Sequence, residues 1–291
     1  MNIEFLYHIC INAIIFFVIC SGFKFFLKIW STLDFSYLGI VIFAAYFWFY
    51  LNIHYEFWLL LSIVFSFLSC IPFMALLLYI STRLRWIYFL IGTLSVYMLM
   101  VNLAANLEAF TGWVFGISLT SQHIAWNIWF NSIDSFFWWY LILFFIIALW
   151  LTYIRKAFFY KVLQWWGENE SSLKSIGYRT YVYKFIMIAI TALLASIWWN
   201  LYGYYNAYIE PNSFWIIMLN MVLIISLVSY KLNSIGTLIT SFLIIWMYEY
   251  VRFFKFVDPT LIGYLREMIF GCIVMLSVYI VFKHTKLGRQ L

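Results

Sequence analysis

Long apolar runs, separated by short polar breaks, constrain this chain more than any other feature of its sequence. Nine such runs cover about residues 5–22, 35–53, 57–80, 86–107, 135–154, 185–205, 214–230, 235–254 and 265–282. Most are close to the roughly 20 residues that a helix needs to cross a bilayer. Each crossing run must be helical, because hydrocarbon offers no partner for a free backbone amide or carbonyl. The shorter alternating segments of a membrane barrel are not the pattern seen.

The composition excludes a soluble fold. Hydrophobic residues make up 67% of the 291 residues, charged residues only 10%, and the mean hydropathy is +0.97. Soluble domains carry about 25% charged residues, so this chain lacks the polar side chains to cover a surface in water. The sequence predicts an all-α polytopic membrane protein with about nine transmembrane helices (eight to ten), forming a single domain over residues 1–291.

The lysines and arginines predict the orientation in the membrane. If the loop over residues 155–184 is cytoplasmic, the alternation of loops places 14 of the 17 basic residues on that side. Only Arg252, Lys255 and Arg266 fall on the other side. Because loops rich in lysine and arginine remain in the cytoplasm, we expect the N-terminus outside and the C-terminus inside. The net charge of +6 is therefore a topology signal, and no nucleic-acid partner is predicted.

Two connections are too long to be simple turns. The outer connection, about residues 108–134, mixes aromatic and polar residues, which favours an interfacial or re-entrant element. The inner connection, about residues 155–184, joins the fifth and sixth spans. In it, Asn169 can cap a short helix that runs to Lys174 or Ser175 and ends at Gly177. Such a helix beneath the membrane suits a soluble partner; an ordinary solvated loop is the alternative.

The sequence lacks the motifs of common active sites. It contains no GxxxxGK[ST], HExxH or GxSxG, so ATP hydrolysis at a P-loop and two common hydrolase sites are not predicted. Its four histidines and four cysteines are scattered, with no ligand spacing typical of a metal site. We therefore predict no catalytic residue, no metal and no cofactor in this chain.

Polar residues inside a membrane segment are the default candidates for function. Asn102 and Asn106 lie one turn apart near the outer end of the fourth span, and further asparagines lie in later spans, at Asn200, Asn206 and Asn220. Each is expected to hydrogen-bond across helices or to line a path for a small solute. Glu249 and Arg252, three residues apart, are expected to form a structural ion pair.

Several motifs occur in an order that matches one known family. The ungapped stretch 169–214 contains Asn169-Glu170, Ile176-Gly177, Tyr183-Lys184, Leu201-Tyr202, and the turn with Tyr208, Pro211 and Ser213-Phe214. Further matches are Leu33-Asp34-Phe35-Ser36, Ala44-Ala45-Tyr46, Arg83-Leu84-Arg85, Tyr88-Phe89, Thr93-Leu94, Thr111-Gly112, Gly116, Ser234-Ile235-Gly236, Glu249 and Arg252. From about Leu33 to its tail, the chain resembles the integral membrane permeases of branched-chain amino-acid ABC importers, the Liv-type family.

The chain departs from this family at positions that are normally small. Trp198-Trp199-Asn200 replaces an Ala-Gly-Ala segment, Tyr37-Leu38 replaces a His-Gly pair, and Trp113 replaces a glycine of the outer turn. Ser229-Tyr230-Lys231 interrupts a glycine-rich loop, and Tyr248 replaces a proline. Because protein interiors are close-packed, such rings are expected to change helix spacing or pocket volume. The resemblance therefore does not specify the solute.

The resemblance implies both partners and sites. It implies a second permease chain (identical or related), two ABC ATPase subunits that bind ATP on the cytoplasmic side, and an extracytoplasmic solute-binding protein, all at the bacterial cytoplasmic (inner) membrane. The residues implied in coupling to the ATPase are Gly167, Glu168, Asn169, Glu170, Leu173, Ile176 and Gly177. The residues implied in the substrate path are Asn102, Asn106, Thr111, Gly112 and Tyr46. The solute would be an amino acid of the branched-chain type or a similar polar metabolite.

The sequence leaves three alternatives open. A secondary transporter independent of an ATPase usually carries an ionisable coupling site near the membrane midplane, and no carboxylate falls there. A membrane-embedded enzyme would use polar residues near the outer face, such as Glu108, His123, Glu249 and Arg252, but no nucleophile–base spacing supports it. A non-transporting scaffold is favoured only by the aromatic departures.

Overall fold

The computed structural model of the chain describes residues 3–30, 33–55, 59–84, 87–107, 111, 116–118, 133–168, 170–214, 216–250 and 259–284. These residues form α-helices joined by short connections, with one 3-10 helix (Pro211–Phe214) and a pair of two-residue strands, β1 (Ile117–Ser118) and β2 (Tyr208–Ile209). The helices are α1 (Ile3–Trp30), α2 (Ser36–Tyr55), α3 (Leu59–Ser69), α4 (Ile71–Arg83), α5 (Ile87–Asn106), α6 (Ile133–Lys156), α7 (Phe158–Glu168), α8 (Glu170–Ser175), α9 (Thr180–Asn206), α10 (Ile216–Val228), α11 (Ser234–Tyr250) and α12 (Pro259–His284).

The predicted helical membrane architecture is confirmed, with fewer spans established than the nine predicted. Helices α1, α2, α5, α6 and α9 are each long and apolar enough to cross a membrane. Helices α3 and α4 make a sixth span if they are counted together, and α10 and α12 contain shorter apolar segments. Each of the nine apolar runs thus contains a helix, but the described part of the chain supports five or six spans by length and composition.

The predicted span over residues 57–80 is broken in its middle. Helices α3 and α4 meet at Cys70 with a bend of 41°. Pro72 lies in the first turn of α4 and has no N–H to donate to a carbonyl of the preceding turn. The break therefore divides this part of the bundle into two shorter helices that need not move as one body.

Helices α1 and α9 form the centre of the bundle. Helix α1 contacts α6, α7, α9, α10 and α11, while α9 contacts α1, α2, α3 and α4. Helix α1 carries apolar residues on all sides and is buried along most of its length, as expected of a helix without a polar face. The remaining helices pack around this pair, with α5 against α2 and α12 against α10.

Two of the large aromatic residues fill notches left by glycines. A Cβ atom at Gly22 of α1 would lie 2.3 Å from the hydroxyl of Tyr37, and one at Gly203 of α9 would lie 2.5 Å from the ring of Trp48. Both aromatic residues belong to α2 and are fully buried. The glycines therefore admit these rings between closely packed helices.

The strands attach the outer connection to the end of α9. Ile117 pairs with Ile209 and Ser118 with Tyr208 in antiparallel register. Gly116 has a φ of +69°, and a Cβ there would lie 2.2 Å from the carbonyl oxygen of Ile209, so only glycine fits this approach. Most of the interfacial or re-entrant element predicted for residues 108–134 lies outside the described residues.

Candidate coupling and solute sites

The inner connection folds into two helices, α7 and α8. The C-terminus of α8 is a Schellman motif, in which the N–H of Gly177 donates to the carbonyl of Lys174 and the N–H of Tyr178 donates to that of Leu173, both at 3.1 Å. Gly177 has a φ of +92°, a conformation that glycine adopts without steric cost. The predicted short helix and its end at Gly177 are confirmed, whereas the cap at Asn169 lies outside the described residues.

The residues predicted to couple to the ATPase divide into two groups. Leu173 is buried, and a Cβ at Gly167 would lie 1.7 Å from the carbonyl oxygen of Ile29 in α1. Ile176 is 71% exposed, and nothing lies within 4 Å of a Cβ built at Gly177. The first group holds α7 and α8 against the bundle, and the second group faces away from it. The side chain of Glu168 lies outside the described part of the chain.

Glu170 anchors the first turn of α8 through two cations. Its carboxylate lies 2.8 Å from Nζ of Lys174 and 3.5 Å from Nζ of Lys184. Burial raises the pKa of the Glu170 carboxyl, but the hydrogen bonds and charges of these two lysines outweigh it and leave that pKa below its ordinary value. Glu170 is therefore an anion at neutral pH, held between its own helix and α9.

Lys184 joins elements that are distant in sequence. It is only 3% exposed, and its Nζ donates to the carbonyl of Ser81 in α4 at 3.1 Å. The same ammonium lies 4.9 Å from the centre of the Trp166 ring in α7. Together with the contact to Glu170 of α8, these contacts join Lys184 to three other elements. The sequence signalled this residue through the Tyr183-Lys184 motif and as one of the basic residues of the inner connection, but not as a contact between helices.

A second buried lysine lies at the same end of the bundle. Lys24 of α1 donates to the carbonyl of Leu232 and to Oγ1 of Thr237, both at 2.8 Å. These bonds hold the turn between α10 and α11 against the end of α1. The described loops that carry most of the basic residues thus converge on one end of the molecule.

A cavity of about 360 Å³ lies toward the opposite end of α1 and α9. Its polar lining includes His8 and Asn12 of α1, Asn206 of α9 and Glu249 of α11. Its aromatic wall is formed by Phe16, Trp198, Trp199, Tyr202, Phe214 and Tyr248. The volume is within the range of small-molecule pockets. The sequence motifs do not indicate this cavity, although His8 and Asn12, four residues apart on one helix face, signal it in part.

The residues predicted for the substrate path do not form one site. Asn102 and Asn106 share an exposed face of α5, whereas Tyr46 is buried in α2 with its ring 6.1 Å from that of Phe214. Thr111 is buried and donates to the carbonyl of Leu107. None of these residues lines the cavity, and Gly112 lies outside the described residues.

The asparagine hydrogen bonds differ from what we expected. The side-chain amides of Asn102, Asn106, Asn200 and Asn206 each donate to the carbonyl four residues earlier in their own helix. The expected bonds between helices are therefore wrong for these four amide donors. Glu249 lies on the cavity wall, but Arg252 is outside the described part of the chain, so their ion pair stays a prediction.

Comparison with known proteins identifies the family of this chain. A family model described as "Branched-chain amino acid transport system / permease component" matches residues 5–265. No curated protein and no solved structure matches the chain. The match includes the broken span, the two inner helices and the cavity-lining segments. The chain therefore belongs to the family of permease components of branched-chain amino acid transport systems, as its motifs predicted.

Proposed function

We propose that this chain is the membrane-spanning subunit of a bacterial ABC importer for a branched-chain amino acid or a similar small polar metabolite. The family match over residues 5–265 carries this proposal. The family is one of transport permeases and not of catalytic domains, and such permeases operate with ATPase and solute-binding proteins. The absence of a GxxxxGK[ST] motif from the whole sequence agrees with an energy source on a separate chain.

The proposed path runs along the exposed face of α5, where a second permease chain covers it. Ser95, Asn102 and Asn106 form a polar stripe on this apolar helix. Polar side chains facing lipid are costly, so they normally face a protein interior or a water-filled path. Two such stripes facing each other enclose a polar route, with Thr111 near its outer end and Tyr46 behind it on α2. Gly112 stays part of the proposed route and lies outside the described residues. The partner chain is identical or related.

The proposed docking surface for the ATPase is the end of the bundle that carries α7 and α8. Ile176 projects from this end next to the unhindered Gly177 and has the exposure and apolar character of an anchor for a protein cleft. This assignment completes the proposed topology of nine spans in one domain, with the N-terminus outside and the C-terminus in the cytoplasm of the bacterial cell.

The proposed mechanism is alternating access driven by the partner ATPase. ATP binding and hydrolysis move the coupling segment, Gly167–Gly177, and the helices packed on it follow as rigid bodies. Gly167, Leu173 and Glu170 transmit the movement because they hold α7 and α8 to the bundle. The solute-binding protein delivers solute to the outward-facing state, and each partner acts by binding the two states unequally.

A reconstituted complex tests this function. The chain is co-purified with its ATPase and solute-binding protein, and ATP-dependent uptake of labelled leucine into liposomes is measured. Ile176→Asp is expected to reduce ATPase co-purification and uptake by roughly tenfold or more, the scale of a single interface anchor. Ile176→Val is the control and keeps both. Normal uptake by Ile176→Asp, or ATP-independent uptake by the chain alone, would contradict the proposal.

The route of the solute is tested in the same assay. Asn102→Leu combined with Asn106→Leu is expected to reduce leucine uptake without changing ATPase co-purification, because these amides bond only to their own helix backbone in the described structure. The matched control is Asn12→Leu combined with Asn206→Leu, which changes two asparagines of the cavity. The reverse pattern would place the route in the cavity instead.

A further inference from the structure

The ammonium of Lys184 is the point where four elements of the inner end meet. A buried charge requires partners that replace its lost hydration. From α9, Lys184 contacts Glu170 of α8 at 3.5 Å, the carbonyl of Ser81 in α4 at 3.1 Å and the ring of Trp166 in α7 at 4.9 Å. One side chain thus connects α8 to α4, a membrane helix that is distant from α8 in the sequence.

The bond to Ser81 lies at the C-terminal end of α4. The last carbonyls of a helix have no partner within it, and a cation there also interacts favourably with the helix dipole. At this end, the N–H of Leu84 donates to the carbonyl of Ile80, and the ammonium of Lys184 donates to the carbonyl of Ser81. Lys184 therefore serves as an external cap for α4.

Helix α4 is the inner half of the broken span. It meets α3 at 41° across Cys70, with Pro72 in its first turn. Pro72 makes no backbone hydrogen bond to the carbonyl of Leu68, so the junction lacks one of the bonds that stiffen a continuous helix. The inner end of α4 is thus hydrogen-bonded to Lys184, while its other end meets α3 at the bend of 41°.

We propose that Lys184 is the positioning residue through which α8 controls α4, so that the coupling movement reaches the broken span directly. This inference rests on the coupling role proposed above for α8. A displacement of α8 acts on the ammonium through Glu170, and the ammonium acts on α4 through Ser81. Helix α4 responds by turning about the bend at Cys70, and α9 supports the lysine from behind.

Lys24 supplies a matched control. It is also a buried lysine at the inner end, and its hydrogen bonds in the described structure are to Leu232 and Thr237 near the turn between α10 and α11. Lys24→Met therefore removes a buried lysine without cutting the connection from α8 to α4. A general loss of stability is expected from both lysine variants, but a loss of coupling only from Lys184→Met.

The test measures the amount of leucine transported per ATP hydrolysed by the reconstituted complex. This ratio does not depend on how much complex assembles, so a merely structural role does not change it. Lys184→Met is expected to lower the ratio at least about fivefold, the lower end of typical coupling effects, while ATP hydrolysis continues. Lys24→Met is expected to keep the wild-type ratio.

Glu170→Gln keeps the inference testable if Lys184→Met does not assemble. Glu170 is half-buried and its glutamine variant has the same shape, so folding is expected to survive. The ratio should fall as for Lys184→Met, and the double variant should show no further loss, because both changes cut one connection. A wild-type ratio in Glu170→Gln, or an equal fall in Lys24→Met, would overturn the inference. A wild-type complex without ATP-dependent uptake would overturn the proposed function, and this inference with it.

Discussion

Asp34 is a buried carboxyl two residues before helix α2. It accepts a hydrogen bond from the backbone N–H of Ser36 at 2.9 Å, and the hydroxyl of Ser36 donates to the same oxygen. This is the geometry in which an aspartate satisfies a free amide at a helix N-terminus. Burial nevertheless raises the pKa of Asp34 to about 6, although the bonds from Ser36 oppose the rise.

The pKa of Asp34 predicts a pH dependence of stability. Because the folded pKa lies above the unfolded value of about 3.9, the folded state holds this proton more tightly. The resulting stability is present below about pH 4 and is lost as the pH rises through 6. Asp34→Asn keeps a capping side chain but cannot ionise, so its melting temperature should rise relative to wild type between pH 5 and pH 7.

Thermal unfolding of the purified chain in detergent measures this difference. Asp134→Asn is the control, because Asp134 is an exposed residue in the first turn of α6, so the same substitution there changes no buried side chain. Parallel curves for Asp34→Asn and wild type would show that burial does not perturb Asp34.

Individual residues of the proposed coupling site differ in how far the sequence predicts them. The end of α8 was predictable because a glycine after a short polar helix is a local signal. The role of Lys184 was not, because its burial is created by Ser81, Trp166 and Glu170, which lie on three other elements. The spacing of residues along the sequence does not predict which helix ends lie next to each other in the fold.

The elements that the sequence predicts best are the long apolar helices. Helices α1, α2, α5, α6 and α9 follow from hydropathy alone, because a span is a local property of about 20 residues. The break between α3 and α4 was missed, although Pro72 signals it. Helix α7 was expected as loop, yet Tyr160, Leu163 and Trp166 recur at helical spacing and form its buried face.

The contact between α7 and α1 predicts a strong effect at one glycine. Gly167→Ala would place a Cβ 1.7 Å from the carbonyl oxygen of Ile29, so α7 must shift away from α1. The expected loss of stability is about 1–3 kcal/mol, as for other overpacked sites. Thermal unfolding in detergent measures it.

The matched control for this contact is Gly271→Ala in α12. Nothing lies within 4 Å of a Cβ at Gly271, and alanine favours a helix interior over glycine by about 1 kcal/mol. Its stability should therefore stay equal or rise. If both alanine variants melted at the wild-type temperature, the backbone contact at Gly167 would be contradicted.

At the scale of the whole molecule, the sequence predicts the class but not the arrangement. Helix α1 carries apolar residues on all sides, so the pattern of its apolar residues does not predict which helices pack against it. The helices that pack most extensively on it all begin at residue 133 or later, as in the bond from Ser241 to the carbonyl of Ala13 at 2.9 Å. The central pairing of α1 with α9 therefore depends on packing between residues that are distant in sequence.

The two ends of the bundle predict opposite exposure across the membrane. Ile176 is exposed at the basic end, and Asn212 is exposed in the 3-10 helix after α9, beside the cavity wall at Phe214. In a background with Cys10, Cys20, Cys70 and Cys272 replaced by alanine, single cysteines at these two positions report the orientation. A membrane-impermeant maleimide should label Asn212→Cys in intact cells and Ile176→Cys only after permeabilisation. Reversed labelling would place α8 outside, where no ATPase operates, and labelling of both from one side would contradict the separation of the two ends.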